Sequence, residues 1–168
     1  IGGKEPDVPD YWAYSVAIAR AWELALEAAE TPMTRKVAIR TGFTMSPDEN
    51  GVFDWMVWLA RHGLGGPFMG GEQYISWITG EDHARAVLYC INNPELEGPV
   101  NLTAPNPVTQ RTFMKRLRTE LGVRFALPVT WWMAPIGAAM LKTDTELMLK
   151  SRRVIPCKLL DAGFRFRF

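Results

Sequence analysis

The spacing of apolar residues switches repeatedly between a helical and a strand rhythm, and the switches divide the chain into alternating elements. From Asp10 to Glu30, Tyr11, Tyr14, Ile18, Trp22, Ala25 and Ala29 recur at steps of three and four, which places them on one stripe of a helix. Pro32 lies just past its end. Lys36 to Thr41 has the β-branched character of a short strand, closed by Gly42. Turn-forming Pro47, Asp48, Asn50 and Gly51 separate it from a second helix, Val52 to His62, which is apolar nearly all round. A helix without a polar face requires cover on several sides.

Tyr74 to Ile78 reads as another strand. The helix after it carries Glu81 and Asp82 in its first turn, where carboxylates suit the positive end of the dipole. Its apolar stripe is Ala84, Val87, Leu88 and Ile91. Val100 to Thr103 is a further strand, and Thr109 caps a helix that buries Phe113, Leu117 and Leu121 and shows Arg111, Lys115 and Arg118. Near the end Gly163 stops a short helix, and Phe164, Phe166 and Phe168 alternate with Arg165 and Arg167, the period of a strand with one buried face. Strands interleaved with helices, then a mostly helical remainder, predict an α/β chain.

At 168 residues and 48% hydrophobic, the chain can bury one sizeable core. Net charge is +1, yet residues 1–108 carry 7 Lys/Arg against 14 Asp/Glu (net −7), and residues 109–168 carry 12 against 4 (net +8). This asymmetry points the second part at something anionic: a phosphate-bearing substrate, an acidic protein surface or RNA. Internal pairing of the acidic and basic parts accounts for it equally well. Phe125 to Leu141 is uncharged and holds Trp131 and Trp132, but it is short for a membrane span and is interrupted by Pro128 and Pro135. It reads as a buried or interface helix.

Candidate chemistry is sparse. Cys90 and Cys157 stand far apart without a Cys-x-x-Cys or histidine partner, so they read as small apolar residues and favour a reducing compartment such as cytoplasm or an organelle matrix. His62 and His83 have no carboxylate or cysteine at ligand spacing, so no metal site is predicted. A dinucleotide loop needs Gly-x-Gly-x-x-Gly between a strand and a helix. Gly2-Gly3, the Gly63–Gly66 cluster and Gly70-Gly71 all lack that context. The chain holds no Tyr-x-x-x-Lys pair either: four residues beyond Tyr11 stands Ser15, and beyond Tyr14 stands Ile18. No catalytic residue is assigned.

Five ordered blocks carry a resemblance: RTGFTMSPD (Arg40–Asp48), GLGGP (Gly63–Pro67), WITGED (Trp77–Asp82), GPVNLTAPNPVT (Gly98–Thr109) and RVIPCKLLDAGFRF (Arg153–Phe166). Together they resemble the C-terminal half of atypical extended short-chain dehydrogenase/reductases of the NAD(P)-dependent epimerase, or nucleoside-diphosphate-sugar epimerase-like, family. The resemblance implies the last strands of a Rossmann-like parallel sheet followed by a smaller, mostly helical substrate domain. Residues 1–108 would hold the end of the NAD(P)-binding domain with interleaved substrate-domain segments, and 109–168 the C-terminal substrate-domain segment. It implies NAD or NADP as cofactor, with Gly42, Phe43 and Thr44 beside the nicotinamide end. On the substrate side it implies Trp77 and Thr79, with Arg153 and Lys158 either contacting a phosphate or carboxylate or simply forming a solvated basic face. Relatives usually carry Trp-Ile-His where this chain has Trp77-Ile78-Thr79, and threonine cannot titrate near neutrality as imidazole does. Asp82 is accounted for as a helix-start carboxylate rather than a catalytic one.

Two functions remain open from sequence. One is the substrate-domain half of an epimerase-like oxidoreductase acting on a sugar or similar carbinol. It would be incomplete by itself, and would bind no dinucleotide alone, because a missing N-terminal half or partner chain must supply the glycine loop. The other is a non-catalytic structural subunit of a larger assembly that keeps the fold without its chemistry.

Overall fold

The computed structural model describes residues 10–49, 51–127 and 151–168, with backbone alone for residues 10–12. Gly2-Gly3 and the stretch holding Pro128, Trp131, Trp132 and Pro135 lie outside the described residues. The elements run α1 (Asp10–Ala28), β1 (Val37–Thr41), β2 (Phe43–Met45), α2 (Val52–Arg61), β3 (Tyr74–Ile75), β4 (Trp77–Thr79), α3 (Gly80–Asn92), β5 (Gly98–Leu102), β6 (Val108–Thr109), α4 (Gln110–Glu120) and α5 (Cys157–Asp161).

Three strand pairs organise them. β1 runs parallel to β5 with Val37 opposite Gly98 and Thr41 opposite Leu102. β2 runs parallel to β4, from Phe43 opposite Trp77 to Met45 opposite Thr79. β3 and β6 are antiparallel. Gly42 does not close the first strand as its sequence context predicts. The chain passes straight through it from one partner to the next: the Gly42 N–H donates to Leu102 O at 3.0 Å and the Phe43 N–H to Ser76 O at 2.8 Å. A Cβ built on Gly42 would stand 2.7 Å from Ser76 O and 2.7 Å from Thr103 Cγ2, so glycine is required here by close approach rather than by dihedral freedom.

The strand predicted over Tyr74–Ile78 is split at Ser76. Its hydroxyl donates to Arg152 O (2.7 Å) and accepts from Val154 N–H (2.8 Å). The Arg152 N–H in turn reaches Tyr74 O. An extended C-terminal run is thereby stitched to the β3–β4 step by a side chain that no strand pattern reveals.

The main core joins Ile78, Ala86, Cys90, Leu96, Val100, Leu102, Leu159 and Phe164. A second cluster of Ala60, Phe113 and Met114 lies between α2 and α4, with Phe43, Phe53 and Leu117 packed against it. At α4 the expectation holds: Thr109 Oγ1 accepts from Thr112 N–H, Phe113 is buried, and Leu117 and Leu121 are partly buried. Lys115 is exposed, whereas Arg118 turns back to donate to Gly65 O.

Two predicted stripes face elsewhere. In α3 the buried face is Asp82, Ala86 and Cys90, and Leu88 and Ile91 are exposed. The pattern marked a helix correctly, but the face turned to the core carries the small residues Ala86 and Cys90, which pack with Ile78, Val100 and Leu102. Among the described side chains of α1, Val16 is buried while Tyr14 and Trp22 face solvent. That helix is attached through polar groups: Arg40 makes a two-pronged contact with Glu23 (2.6 Å each), and Lys36 Nζ donates to the carbonyls of Glu27 and Ala29 at its C-terminus. Beside it, Arg35 donates to Cys90 O and Ile91 O, satisfying carbonyls at the end of α3, and to Leu96 O in the connection that follows. Among the described residues no helix is long and apolar enough to cross a membrane.

Candidate functional site

β2 and β4 are parallel neighbours, so both deliver their carboxyl ends to the same edge of the structure. An open cleft of about 660 Å³ lies there, lined by Thr44, Met45, Ser46, Pro47, Asp48, Thr79, Gly80, Glu81 and Phe168. In open α/β sheets ligands bind outside the carboxyl ends of the strands, which makes this the candidate site. The backbone of one wall is the RTGFTMSPD block and that of another is WITGED, two of the blocks singled out in the sequence.

Of the three residues expected beside a cofactor, the structure brings only Thr44 into the cleft lining. Gly42 is enclosed between Ser76 and Thr103, and the N–H groups of Gly42 and Phe43 are already engaged with Leu102 and Ser76. The Phe43 ring packs edge-on to Phe113 with centroids 5.9 Å apart, inside the second cluster. Thr44 Oγ1 lies 3.4 Å from Gly42 O.

On the other wall, Thr79 caps α3: its Oγ1 accepts from Asp82 N–H at 3.2 Å and keeps its own O–H to donate elsewhere. The Trp77 indole N–H donates to Asn106 O at 3.1 Å, so the ring is held at the β4 edge. Arg153 and Lys158 are not brought here. The Arg153 guanidinium lies over the Tyr74 ring at 5.4 Å. Lys158 Nζ donates to Glu97 O, beside the amino end of β5 and hence at the opposite edge of that strand pair.

Asp82 is 1% exposed, and its carboxylate does more than complement the helix dipole. It accepts from the N–H groups of Arg167 (3.0 and 3.2 Å) and Phe168 (3.1 Å) and pairs with Arg85. Arg167 is paired in turn with Glu81. The C-terminal Phe–Arg alternation keeps its predicted sidedness only in part, with Phe164 buried and Phe166 half-buried but Phe168 exposed, and it forms no ladder among the described residues. A buried carboxylate takes the place of a neighbouring strand. This arrangement sets Phe168 at the cleft wall, a role that only the contact to Asp82 discloses.

Charged groups elsewhere have structural explanations. The Arg40 hydrogen bond, and then the guanidinium charge, hold the Glu23 carboxyl below its ordinary range, and the same contact raises Arg40. Burial pushes the Cys90 thiol up. His83 Nε2 lies 3.2 Å from Thr41 Oγ1 at the end of β1. Among the described residues no group of three or more His, Cys, Asp or Glu could hold a metal ion.

Parallel strands ending together at a cleft, with a crossover helix starting on its rim, define the ligand side of a Rossmann-like α/β domain. A family profile described as "Domain of unknown function (DUF1731)" matches residues 134–168. An epimerase family protein of Mycobacterium bovis is 39% identical over 147 residues, covering 86% of this chain and 47% of that protein. The epimerase family protein YfhF of Bacillus subtilis is 31% identical over 150 residues, covering 89% and 48%. Among solved structures, the human epimerase family protein SDR39U1 with NADPH superposes with a TM-score of 0.78 at 26% identity, over 90% of this chain and 50% of that one. A nucleoside-diphosphate sugar epimerase from Corynebacterium glutamicum gives 0.67 at 29% identity, over 89% and 27%. The chain belongs to this epimerase-like family, and it spans about half the length of the curated relatives it matches.

Proposed function

We propose that this chain forms the substrate-side half of an epimerase-like NAD(P)-dependent oxidoreductase acting on a sugar or similar carbinol, and that it is catalytically incomplete by itself. The observation that carries the reading is the shared carboxyl edge of β2 and β4, where Thr44 and Thr79 face one cleft. The nicotinamide would supply hydride transfer. In this reading the Thr44 hydroxyl, which lines the cleft, would meet the cofactor's nicotinamide end, with Gly42 and Phe43 holding the strand behind it. Thr79 offers a hydroxyl donor to a substrate oxygen but no proton that moves near neutrality. The general acid/base and the glycine-rich phosphate loop would therefore come from a preceding half or a partner chain. In this division residues 1–108 complete the cofactor domain and 109–168 the substrate domain. SDR39U1 with NADPH supports the cofactor class, since its fold is shared across nine-tenths of this chain.

The test is a fluorescence titration of NADH and NADPH against the chain alone, then against the chain co-expressed with the N-terminal half of the M. bovis relative. Saturable binding only in the second case is expected. Micromolar binding by the chain alone would refute its incompleteness. Absence of binding in both would favour the non-catalytic subunit, a reading that Thr79 supports by standing where a titratable histidine is usual.

A further inference from the structure

Two kinds of contact hold the C-terminal run, and they divide it into a fixed part and a tip. Up to Phe166 the run is bound into the core. Leu159 and Phe164 are buried, the Phe166 ring meets Phe164 edge-on with centroids 4.9 Å apart, and Tyr89 donates to Ala162 O. Arg85 fixes the same part twice, with its guanidinium 5.2 Å from the Phe164 ring and a hydrogen bond of 3.0 Å to Arg165 O. From Arg167 onward the support changes. The Arg167 and Phe168 side chains are exposed, and their hydrogen bonds run to the first turn of α3: both N–H groups to Asp82, the Arg167 guanidinium to Glu81.

These contacts differ in strength. Asp82 is buried, and a charged acceptor shielded from water makes strong hydrogen bonds. The Glu81–Arg167 pair leaves its side chains 47% and 61% exposed, so it contributes little and weakens further as salt screens it. Release of the tip gives up little apolar burial, because Phe168 is already mostly exposed. Asp82 would keep its Arg85 partner after release. Few buried apolar contacts and no ladder are the marks of a segment that opens locally, ahead of the core.

The tip is also part of the cleft, since Glu81 and Phe168 both line it. With the tip in place, Arg167 neutralises Glu81 and Phe168 forms wall. With the tip released, that wall is withdrawn, Asp82 is bared, and Glu81 stands in the lining with Asp48 without its cation.

We propose that the run from Arg167 onward is a hinged wall of the cleft, turning at Phe166, with Asp82 as its catch and the Glu81–Arg167 pair as a salt-sensitive latch. Closed, it narrows the cleft and cancels the Glu81 charge. Open, it widens the cleft and leaves it more acidic. A ligand that touches Phe168 selects the closed state, so filling the cleft and closing the wall reinforce each other. That consequence rests on the epimerase-like reading of the cleft as the ligand side, whereas the motion requires neither cofactor nor substrate.

The test follows the full chain by NMR, with the Arg167 and Phe168 amides reporting on the wall and the Met45 methyl on the cleft lining. A minor open state on the order of 1% is expected, seen by relaxation dispersion at all three positions with one common rate. Raising NaCl from about 0.05 to about 0.5 M should increase the open population roughly two- to fivefold. Arg167→Leu should raise it by a similar factor at low salt and remove the salt response, whereas Asp82→Asn should raise it further and keep that response. Amide exchange is the second measurement: Arg167 and Phe168 should exchange at least about tenfold faster than Phe164, whose N–H bonds to Leu159 O inside the fixed part. Exchange of all three amides at one rate would mean that the tip opens only with the core, and overturns the proposal. So does a Met45 methyl that stays silent while the wall amides exchange, or an open population indifferent to both salt and Arg167→Leu. None of these readouts depends on NADPH, so a failed cofactor titration leaves the hinged wall standing, and a rigid wall leaves the cofactor reading standing.

Discussion

Replacing Asp82 with alanine should detach the C-terminal strap and lower stability by about 3 kcal/mol. The carboxylate is 1% exposed and serves the N–H groups of Arg167 and Phe168 together with the Arg85 guanidinium. Hydrogen bonds to a charged acceptor contribute about 1.5–3 kcal/mol each, and the strap is partly open to water, so the lower figure applies to each of the two N–H groups. Arg85 is 30% exposed in its side chain and can rehydrate, so its loss adds less than about 1 kcal/mol. The Thr79 cap accepts from the Asp82 backbone and survives the change. A loss near 3 kcal/mol should lower Tm by about 6–12 °C in a chain of this size. It should also raise exchange of the Arg167 and Phe168 amides by about 100-fold. Calorimetry and amide exchange of the full chain read the two effects separately. Asp82→Asn, which keeps an acceptor without the charge, should recover roughly half of each. Full protection of both amides in Asp82→Ala, with a Tm shift below about 2 °C, would show that the strap is held by its phenylalanines instead.

Three further outcomes follow from other contacts. Gly42→Ala should cost about 1–3 kcal/mol by denaturant melts, and adding Thr103→Ser should restore only part, because the Ser76 carbonyl that crowds the new Cβ cannot move aside. With iodoacetamide at pH 8, Cys157 should alkylate quickly and Cys90 only after unfolding, since Cys90 is buried with its thiol pushed up, as mass spectrometry of tryptic peptides would show. The Glu23 carboxyl lies below its ordinary value of 4.5, chiefly through the Arg40 hydrogen bond. The folded value being the lower, its contribution is present above that value and is lost as pH falls through the folded one. Proteolysis of α1 should therefore accelerate as pH drops below about 4.5 in the native chain, and Arg40→Met should abolish that step.

Much of the fold was legible because helices and caps are written locally. Thr109 with Phe113 and Leu117, and Gly163 after its short helix, stand as read, the latter with φ +86°. What stayed hidden were choices made by distant partners. Rhythm alone could not tell that α3 would bury Ala86 and Cys90 rather than Leu88 and Ile91, because the face is selected by the distant residues it packs against, such as Ile78 and Leu102. Nor could it tell that Ser76 would interrupt a strand to hold residues more than seventy positions away. For the cleft, Thr44 and Thr79 were recoverable from the resemblance. Asp48 and Glu81 were not, because they meet only through the pairing of β2 with β4, nor was Phe168, which Asp82 folds back across the start of α3. A buried aspartate paired with two main-chain N–H groups leaves no periodic mark.

The uninterrupted passage of the backbone through Gly42 bears on how chains of this design can diverge. Residues 37–45 contain no loop: 37–41 are held in register against β5, 43–45 against β4, and the Gly42 N–H between them donates to Leu102 O. One residue inserted anywhere in this run would reverse every side chain beyond it. Placed before Arg40, it would turn that guanidinium away from Glu23, and placed later it would turn Thr44 out of the cleft. Length changes are instead expected in connections such as residues 93–97, whose backbone is not laddered to a neighbouring strand. The nine residues from Val37 to Met45 thus act as a fixed ruler between the first helix and the cleft, and variation in chain length among related proteins is expected to fall on either side of it.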